Sequence, residues 1–451
     1  MNPQKQAKAF QSQRVCNPLN GDVTIPGDKS ISHRAFILGG LATGVTEVTG
    51  LLEGEDVLAT GKAMQAMGAG VERLGDGHWK ITGCGTSGLK APATRLDFGN
   101  AGTGARLLMG AISGSAITAD MTGDASLCKR PMGRVMQPLT QMGARFDAAP
   151  GDRLPATITA PQRPLPLVYQ TPVPSAQVKS AILLAGLGAP GNTTIIESEP
   201  TRDHTERMLR LFGANVTAMD TDKGLAITLT GEAELRGTRI SVPGDPSSAA
   251  FPLVAALLVA GSEVRLNNVM VNPHRDGLWV CLRDMGADID TVNLRDAAGE
   301  QVADFIVRAS TLSPIEVPAE RAPSMIDEYP ILAIAAACAK GTSVFNGLAE
   351  LRVKESDRLA AIADGLAACG VDVEAGDDSL TIHGKGQVPG GGEVKTCLDH
   401  RIAMSFLILG LVAEQPVMID DAEMIATSFP DFFELMQKLG TRNSFAAVDA
   451  A

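Results

Sequence analysis

Six apolar runs built from small and branched residues mark out the chain: AFILGGLA, ARLLMGAI, AILLAGLG, AAFPLVAALLVA, ILAIAAACA and IAMSFLILGL. They are apolar almost all round, so each predicts a helix buried on every side. A polar cluster opens each run, and a glycine-punctuated phrase with strand-like character follows it, as in LATGVTEVTGL or LVAGSEVRLNNV. Next come segments with apolar residues at helical spacing, such as 56–67 and 205–212, which predict amphipathic helices on the outside. These segments close in MGA, MGA, FGA, MGA, CGV and LGT, with glycines at Gly68, Gly143, Gly213, Gly286, Gly370 and Gly440. The glycines recur about every 70–84 residues, which is too long for a solenoid unit and suits a small α/β module. Alternating stretches WKITG, ATITA, AITLTG and LTIHG predict strands that cover one face of each module.

The first and fourth modules match best, because IPGD at 25–28 returns as VPGD at 242–245. The modules therefore group as three plus three, in two similar α/β domains with a boundary near Arg239. A length of 451 residues suits two or three domains. Apolar residues make up 45% and charged residues 20%, the balance of a soluble protein with a sizeable core. The formal charge of −12 and an aromatic content of 4% argue against nucleic acid as a partner, which needs a basic face and stacking platforms. The longest apolar runs, at 249–260 and 402–413, are too short to span a bilayer. Residues 1–14 are polar, unlike a secretory signal, and read as a frayed tail. The seven cysteines form no CxxC pair and read as reduced thiols of a cytosolic protein. The six histidines have no ligand spacing, so no metal site is expected.

The chemistry gathers where helices begin. The inner helices open on Asp28-Lys29-Ser30 with Arg34, Asn100 to Thr103 with Arg106, and Ser175-Ala176-Gln177 with Lys179. The second half has Asp245 with Ser247 and Ser248, then Asp327-Glu328, then Asp399-His400-Arg401. A lone Ser or Asp at such a place is an N-cap, and the Asp245 cluster fits that role. Lys29, Arg34, Arg106 and Arg401 are not needed for capping. A cation is locally unfavourable at the positive end of a helix, so these residues imply a compensating anion. The outer helices add Lys129-Arg130, Arg202-Asp203, Arg275-Asp276 and Lys354-Glu355 with Arg358, though a surface ion pair would account for Arg275-Asp276 equally well. The ligands implied are compact polyanions carrying phosphate and carboxylate groups. Asp327, Glu328 and Glu355 are candidates for proton transfer, with ion pairing as their alternative role. The Gly27–Ser30 phrase lacks the P-loop register, and Gly99, Gly102 and Gly104 lack the dinucleotide-binding order. No phrase supports covalent catalysis.

Seven phrases in order carry a family resemblance: PGDKSISHR (26–34), LDFGNAGTGARL (96–107), GDASLCKRPMGR (123–134), PSAQVKSAILLAG (174–186), TRDHTERML (201–209), LRVKESDRL (351–359) and LDHRIAM (398–404). They resemble the 5-enolpyruvylshikimate-3-phosphate synthase family from about residue 19 to 440, in the glyphosate-tolerant-type subgroup with SAQ rather than SSQ. The resemblance implies a two-domain inside-out α/β barrel of six modules, with an active site in the cleft between domains. The chain would leave and re-enter one domain, giving 22–239 as the first and 1–21 with 240–451 as the second. The implied reaction moves the enolpyruvyl group of phosphoenolpyruvate to the 5-hydroxyl of shikimate-3-phosphate in aromatic amino-acid biosynthesis, and releases phosphate. It needs no metal or organic cofactor, and a cytoplasmic monomer is expected.

By the same resemblance, shikimate-3-phosphate is held by Lys29, Ser30, Arg34, Ser175, Ala176, Gln177, Arg202, Asp327 and Lys354, with Arg202 on its phosphate. Phosphoenolpyruvate is held by Lys29, Gly102, Arg130, Gln177, Arg358 and Arg401. Asp327 is the implied base at the 5-hydroxyl and Glu355 the group exchanging protons with the methylene carbon, with Lys29 also catalytic. Two departures stand out. Many relatives carry Lys where this chain has Thr427, which leaves one phosphate contact unassigned. Certain tolerant relatives have Ala where this chain has Gly102, and glycine leaves room for the inhibitor glyphosate. Two other readings remain. The sister transferase acting on UDP-N-acetylglucosamine typically uses a cysteine where this chain has Asp124, with Cys128 nearby but out of register. A non-catalytic repeat scaffold would have polar helix starts that only cap.

Overall fold

The computed structural model describes residues 8–297 and 299–448. Its helices begin with α1 (Lys29–Leu41), α2 (Glu55–Ala66), α3 (Gly102–Ser113), α4 (Gly133–Gln141), α5 (Ala176–Gly186) and α6 (His204–Leu211). Then come α7 (Pro246–Leu258), α8 (Gly277–Asp284) and the single turn α9 (Ala322–Met325). The last are α10 (Tyr329–Cys338), α11 (Arg358–Ala368), α12 (His400–Gly410) and α13 (Phe432–Lys438). The six apolar runs are α1, α3, α5, α7, α10 and α12, and they are inner helices: α7 buries every residue of 246–257 and α10 every residue of 329–337. Burying one large apolar side chain contributes about 1.5–3 kcal/mol, so helices sunk on all sides anchor each module. Their small residues permit close approach. A Cβ on Gly110 would lie 2.2 Å from the Ala181 carbonyl oxygen, so α3 and α5 meet backbone to backbone.

The amphipathic segments are the outer helices, with α2 and α6 within one residue of the expected 56–67 and 205–212. The six closing glycines all have positive φ: 107° at Gly68, 103° at Gly143, 96° at Gly213, 92° at Gly286, 81° at Gly370 and 116° at Gly440. A left-handed residue just past a helix end is where glycine avoids the Cβ clash, which explains why this position recurs.

Among the described residues, six four-stranded sheets cover the helices. In one, Leu96–Asp97 runs parallel to Thr118–Thr122, which pairs antiparallel with Arg153–Thr159, which pairs antiparallel with Arg145–Ala149. The expected strands appear as His78–Thr82, Arg153–Thr159, Gly224–Thr230 and Leu380–Lys385. The frayed-tail expectation for 1–14 is corrected over Phe10–Ser12, which is a strand; residues 1–7 lie outside the described residues. Phe10–Ser12 pairs antiparallel with Val417–Ile419 on one side and Phe445–Ala447 on the other. Phe10 stacks on Phe433 with ring centroids 4.9 Å apart, and Ser12 is fully buried. A three-residue strand shows no alternation long enough to read.

The chain forms two compact units. The first comprises Gly27–Pro243 with Asp296–Glu300; the second comprises the described residues up to Pro26, Gly244–Arg295 and the described residues from Gln301 onward. The change-overs therefore fall inside the two PGD phrases rather than at 21/22 and 239/240. Strand pairing explains the displacement: Asn20–Thr24 runs parallel to Glu263–Met270 in the second unit, and Arg239–Ser241 runs parallel to Val45–Thr49 in the first. Each unit keeps its strand up to the proline that follows. Among the described residues no helix is long and apolar enough to cross a membrane.

Candidate active site

In the first unit, the openings of α1, α3 and α5 are tied together by side chains. Asp28 caps α1 by accepting the Ile31 amide at 2.7 Å. Lys29 at the first helical position donates to Asp56 of α2 at 2.5 Å. Arg34, one turn further in and 3% exposed, donates to Thr205 Oγ1 at 2.6 Å, Ser180 Oγ at 2.8 Å and the Ser30 carbonyl at 3.0 Å. Burial lowers its pKa to about 10, against the opposing pull of Glu206 and Asp28. Its direct hydrogen bonds all go to neutral oxygens. His33 beside it is fully buried and donates or accepts at Thr60 Oγ1 over 2.8 Å. Burial, then Lys29 and Arg34, hold its pKa well below the ordinary value, so the ring is neutral.

Gln177, in the first turn of α5, bridges to α3: its Oε1 accepts from Arg106 at 3.0 Å and its Nε2 donates to Thr103 Oγ1 at 2.9 Å. Ser175 caps α5 by accepting the Val178 amide, with Ala176 as its first helical residue. Arg130 donates to Asn100 Oδ1 at 2.5 Å and Ser126 Oγ at 3.2 Å. Gly102 opens α3, where a Cβ would lie 3.1 Å from both Arg106 Nη1 and Arg130 Nη1. Two guanidinium groups thus crowd one helix N-terminus. Lys29, Ser30, Arg34, Gly102, Arg130, Ser175, Ala176 and Gln177 all lie at helix openings of this unit or on turns bonded to them, and Arg202 stands just before α6.

The second unit builds its own cluster. Arg358 opens α11 and is 1% exposed, with Nε 2.7 Å from Asp399, Nη1 3.0 Å from Asp327 and Nη2 2.5 Å from Glu355. Burial alone would depress its pKa; the three carboxylates overcome that and hold it above the usual value. Lys354 Nζ stands 3.9 Å from Asp327. Asp399 also caps α12 by accepting the Arg401 amide at 2.9 Å. Arg401 Nη1 donates to the Asp327 carbonyl at 3.2 Å and lies 3.6 Å from Glu328. Asp327, Lys354, Glu355, Arg358 and Arg401 are therefore one network. Glu328 accepts from Ser247, which also accepts from Arg275 at 2.8 Å. Arg275 is 3% exposed and pairs with Asp245 at 3.2 Å, so the surface-pair reading with Asp276 gives way to a buried bond within the fourth module.

The family model for EPSP synthase (3-phosphoshikimate 1-carboxyvinyltransferase) matches residues 14–436. The chain belongs to the EPSP synthase family. It is 61% identical over 424 residues to the 3-phosphoshikimate 1-carboxyvinyltransferase of Parvibaculum lavamentivorans, covering 94% of each chain. It is 59% identical over 440 residues to that of Paramagnetospirillum magneticum, covering 97% of this chain and 98% of the relative. Among solved structures, EPSP synthase from Acinetobacter baumannii aligns with a TM-score of 0.86 at 46% identity, covering 98% of this chain and all of that one. The enolpyruvyl transferase NikO from Streptomyces tendae aligns at 0.77 with 18% identity and shares the fold.

Against that family background, the departures have local explanations. Thr427 donates to the Met424 carbonyl at 2.7 Å and is spent on its own turn. Asp124 receives the Leu127 amide at 2.7 Å and the Asn100 side chain at 2.8 Å, so it shapes the turn that carries Arg130. Cys128 donates to the Gly123 carbonyl, a bystander's contact. Asp56, Thr205 and Ser180 were not singled out in sequence, because each meets Lys29 or Arg34 from 27 to 171 positions away, whereas Asn100 was visible as a helix opening but not as the acceptor for Arg130. Asp399 was visible only as a helix opening. The fold also gathers Asp203, His204 and Glu300, three potential metal ligands that histidine spacing did not suggest. Arg207 already lies 2.7 Å from Asp203 and 3.7 Å from Glu300, and its charge serves these acids as a cation would.

Proposed function

We propose that the two clusters serve one transfer, in which the 1-carboxyvinyl group of phosphoenolpyruvate passes to the 5-hydroxyl of shikimate-3-phosphate and phosphate departs. The chain is a transferase of its family, and this is the family's reaction. Lys29, Ser30, Arg34, Ser175, Ala176, Gln177 and Arg202 hold shikimate-3-phosphate, with Asp327 and Lys354 contributing from the second unit. Arg130, Gly102, Gln177 and Lys29 hold phosphoenolpyruvate together with Arg358 and Arg401. The observation that carries the reading is Arg34: a guanidinium almost wholly buried, hydrogen-bonded among the described residues to three neutral oxygens, with its pKa lowered to about 10. Burying a cation without a directly bonded counter-charge is costly; Glu206 and Asp28 offset part of that cost from a distance, and a phosphorylated substrate adds a further negative charge.

The chemistry balances with two acids and a lysine. Asp327 takes the proton of the 5-hydroxyl as its oxygen bonds to C2 of phosphoenolpyruvate, while C3 gains a proton and becomes a methyl. Loss of a proton from that methyl and departure of phosphate restore the carbon–carbon double bond. Glu355, bonded to Arg358, exchanges the C3 proton. Lys29 and the arginines stabilise charge on the leaving phosphate and on the carboxylate, from positions fixed before reaction. The enzyme acts as a cytoplasmic monomer, and Gly102 leaves the space beside the donor that makes it sensitive to glyphosate.

Phosphate release from phosphoenolpyruvate tests this, measured with shikimate-3-phosphate and separately with UDP-N-acetylglucosamine. Release is expected only with the former, and release only with the latter would transfer the assignment to the sister enzyme. Asp327→Ala should lower turnover at least a thousandfold with thermal unfolding preserved, whereas near-normal turnover removes it as the base. Millimolar glyphosate at low phosphoenolpyruvate should inhibit, and light scattering should return a monomer mass.

A further inference from the structure

Lys179 has no part in the reaction as described, yet it is among the most deeply buried charges in the molecule. Its side chain is 1% exposed, one turn inside α5. The ammonium makes three bonds: to Glu197 Oε2 at 2.8 Å, to Glu206 Oε1 at 2.8 Å and to the Thr201 carbonyl at 3.2 Å. Glu197 and Glu206 are themselves buried, at 0% and 4%. Burial works against the charged lysine, and the two carboxylates outweigh it, so its pKa is raised. Such a triad is an expensive way to build a core, since apolar residues of similar volume usually stabilise as well.

What the triad holds is the segment that carries Arg202. Thr201, immediately before it, is bonded by its carbonyl to Lys179, by its hydroxyl to Glu197 at 2.5 Å and by its amide to the same carboxylate at 3.4 Å. Immediately after it, Asp203 pairs with Arg207 and His204 bonds Glu300 at 2.8 Å. Thr205 Oγ1 accepts from Arg34 and lies 2.7 Å from Ser180 Oγ, and Glu206 completes the triad. Lys179 is the point where α5, the end of strand Asn192–Glu197, this segment and the start of α6 are joined.

We infer that Lys179 is a positioning residue for the acceptor's phosphate: by clamping Thr201 and Glu206 to α5 it fixes the direction in which Arg202 presents its guanidinium. The inference rests on the reading above, in which Arg202 and Arg34 meet the phosphate of shikimate-3-phosphate. A planar guanidinium binds phosphate through a pair of aligned N–H groups, so a small rotation of its backbone loses much of the recognition. Shikimate lacks the phosphate and does not draw on that alignment.

The test compares the KM for shikimate-3-phosphate with the competitive inhibition constant of shikimate, in the full chain. The variants are Lys179→Met and the pair Lys179→Met/Glu197→Gln, which removes one orphaned carboxylate charge along with its partner and protects folding. Arg202→Ala is the control. In either Lys179 variant the preference for shikimate-3-phosphate over shikimate should fall at least tenfold, while the KM for phosphoenolpyruvate and the shikimate constant stay within about twofold. Equal weakening of both ligands, or an unchanged preference in a folded variant, overturns the inference while leaving the functional reading intact. An unchanged preference in Arg202→Ala removes the role given to Arg202, and the positioning role with it.

Discussion

Asp399 shows how one side chain can serve two ends. One carboxylate oxygen caps α12, and the group as a whole holds the guanidinium of Arg358. Asparagine caps a helix as well as aspartate does but carries no charge, so Asp399→Asn separates the two tasks. The variant should keep α12 and lose the pairing, raising the KM for phosphoenolpyruvate at least tenfold at a cost of about 1–3 kcal/mol in stability. An unchanged KM in steady-state kinetics would contradict it. His33 gives a prediction in pH. Its folded pKa is depressed by burial, Lys29 and Arg34, whereas in the unfolded chain it titrates near the ordinary value. Below about pH 6.5 the unfolded state takes up a proton that the folded state refuses, so stability falls as pH drops, by up to about 1.4 kcal/mol per pH unit. Urea midpoints at pH 7 and 5.5 should differ less in His33→Gln than in the parent, and equal differences would sink the idea. Residue chemistry was legible in part. The basic residues at helix openings suggested anions from outside, yet Lys29 and Arg358 already have carboxylate partners in Asp56, Asp399, Asp327 and Glu355.

At the scale of elements, the six closing turns carry the most transferable information. A Cβ on Gly213 would meet nothing within 4 Å, and its φ is 96°. Gly213→Ala therefore isolates the backbone cost of a left-handed alanine, about 1–2 kcal/mol, in chemical denaturation. A loss below a few tenths would show that the turn relaxes. Hydrophobic period located α2 and α6 to within one residue, because an outer helix must alternate between core and water. It also marked the inner helices, whose uniform apolarity leaves no other packing. The single turn α9 and the strand Phe10–Ser12 were not legible, since neither is long enough to develop a period.

For the whole molecule, the decisive feature is how each unit completes its sheets with strands distant in sequence. The sheet of Glu393–Val394 and Val417–Ile419 takes Phe10–Ser12 into its middle and Phe445–Ala447 at its edge, joining both ends of the described chain to one module. A variant beginning at residue 15 removes an interior strand and the Phe10–Phe433 stack, and leaves the edges of two strands unpaired. Its thermal midpoint should fall by roughly 5–10 °C, read by circular dichroism. An unchanged midpoint would mean that the sheet closes without this strand.

The sequence alone determined the six-module plan, the buried and outer helices and the family, because hydrophobic period, turn glycines and contiguous motifs are local properties. It also named the helix openings as the place of the chemistry, since helix termini attract charge wherever they fall. Tertiary structure decided the rest. The partners of Arg34 at Thr205 and Ser180, the hold of Asp399 on Arg358 and the clamp of Lys179 on Thr201 join residues from 22 to 171 positions apart. Hydrogen bonds and ion pairs act over about 3 Å in space, and that proximity exists only once the modules have folded against one another.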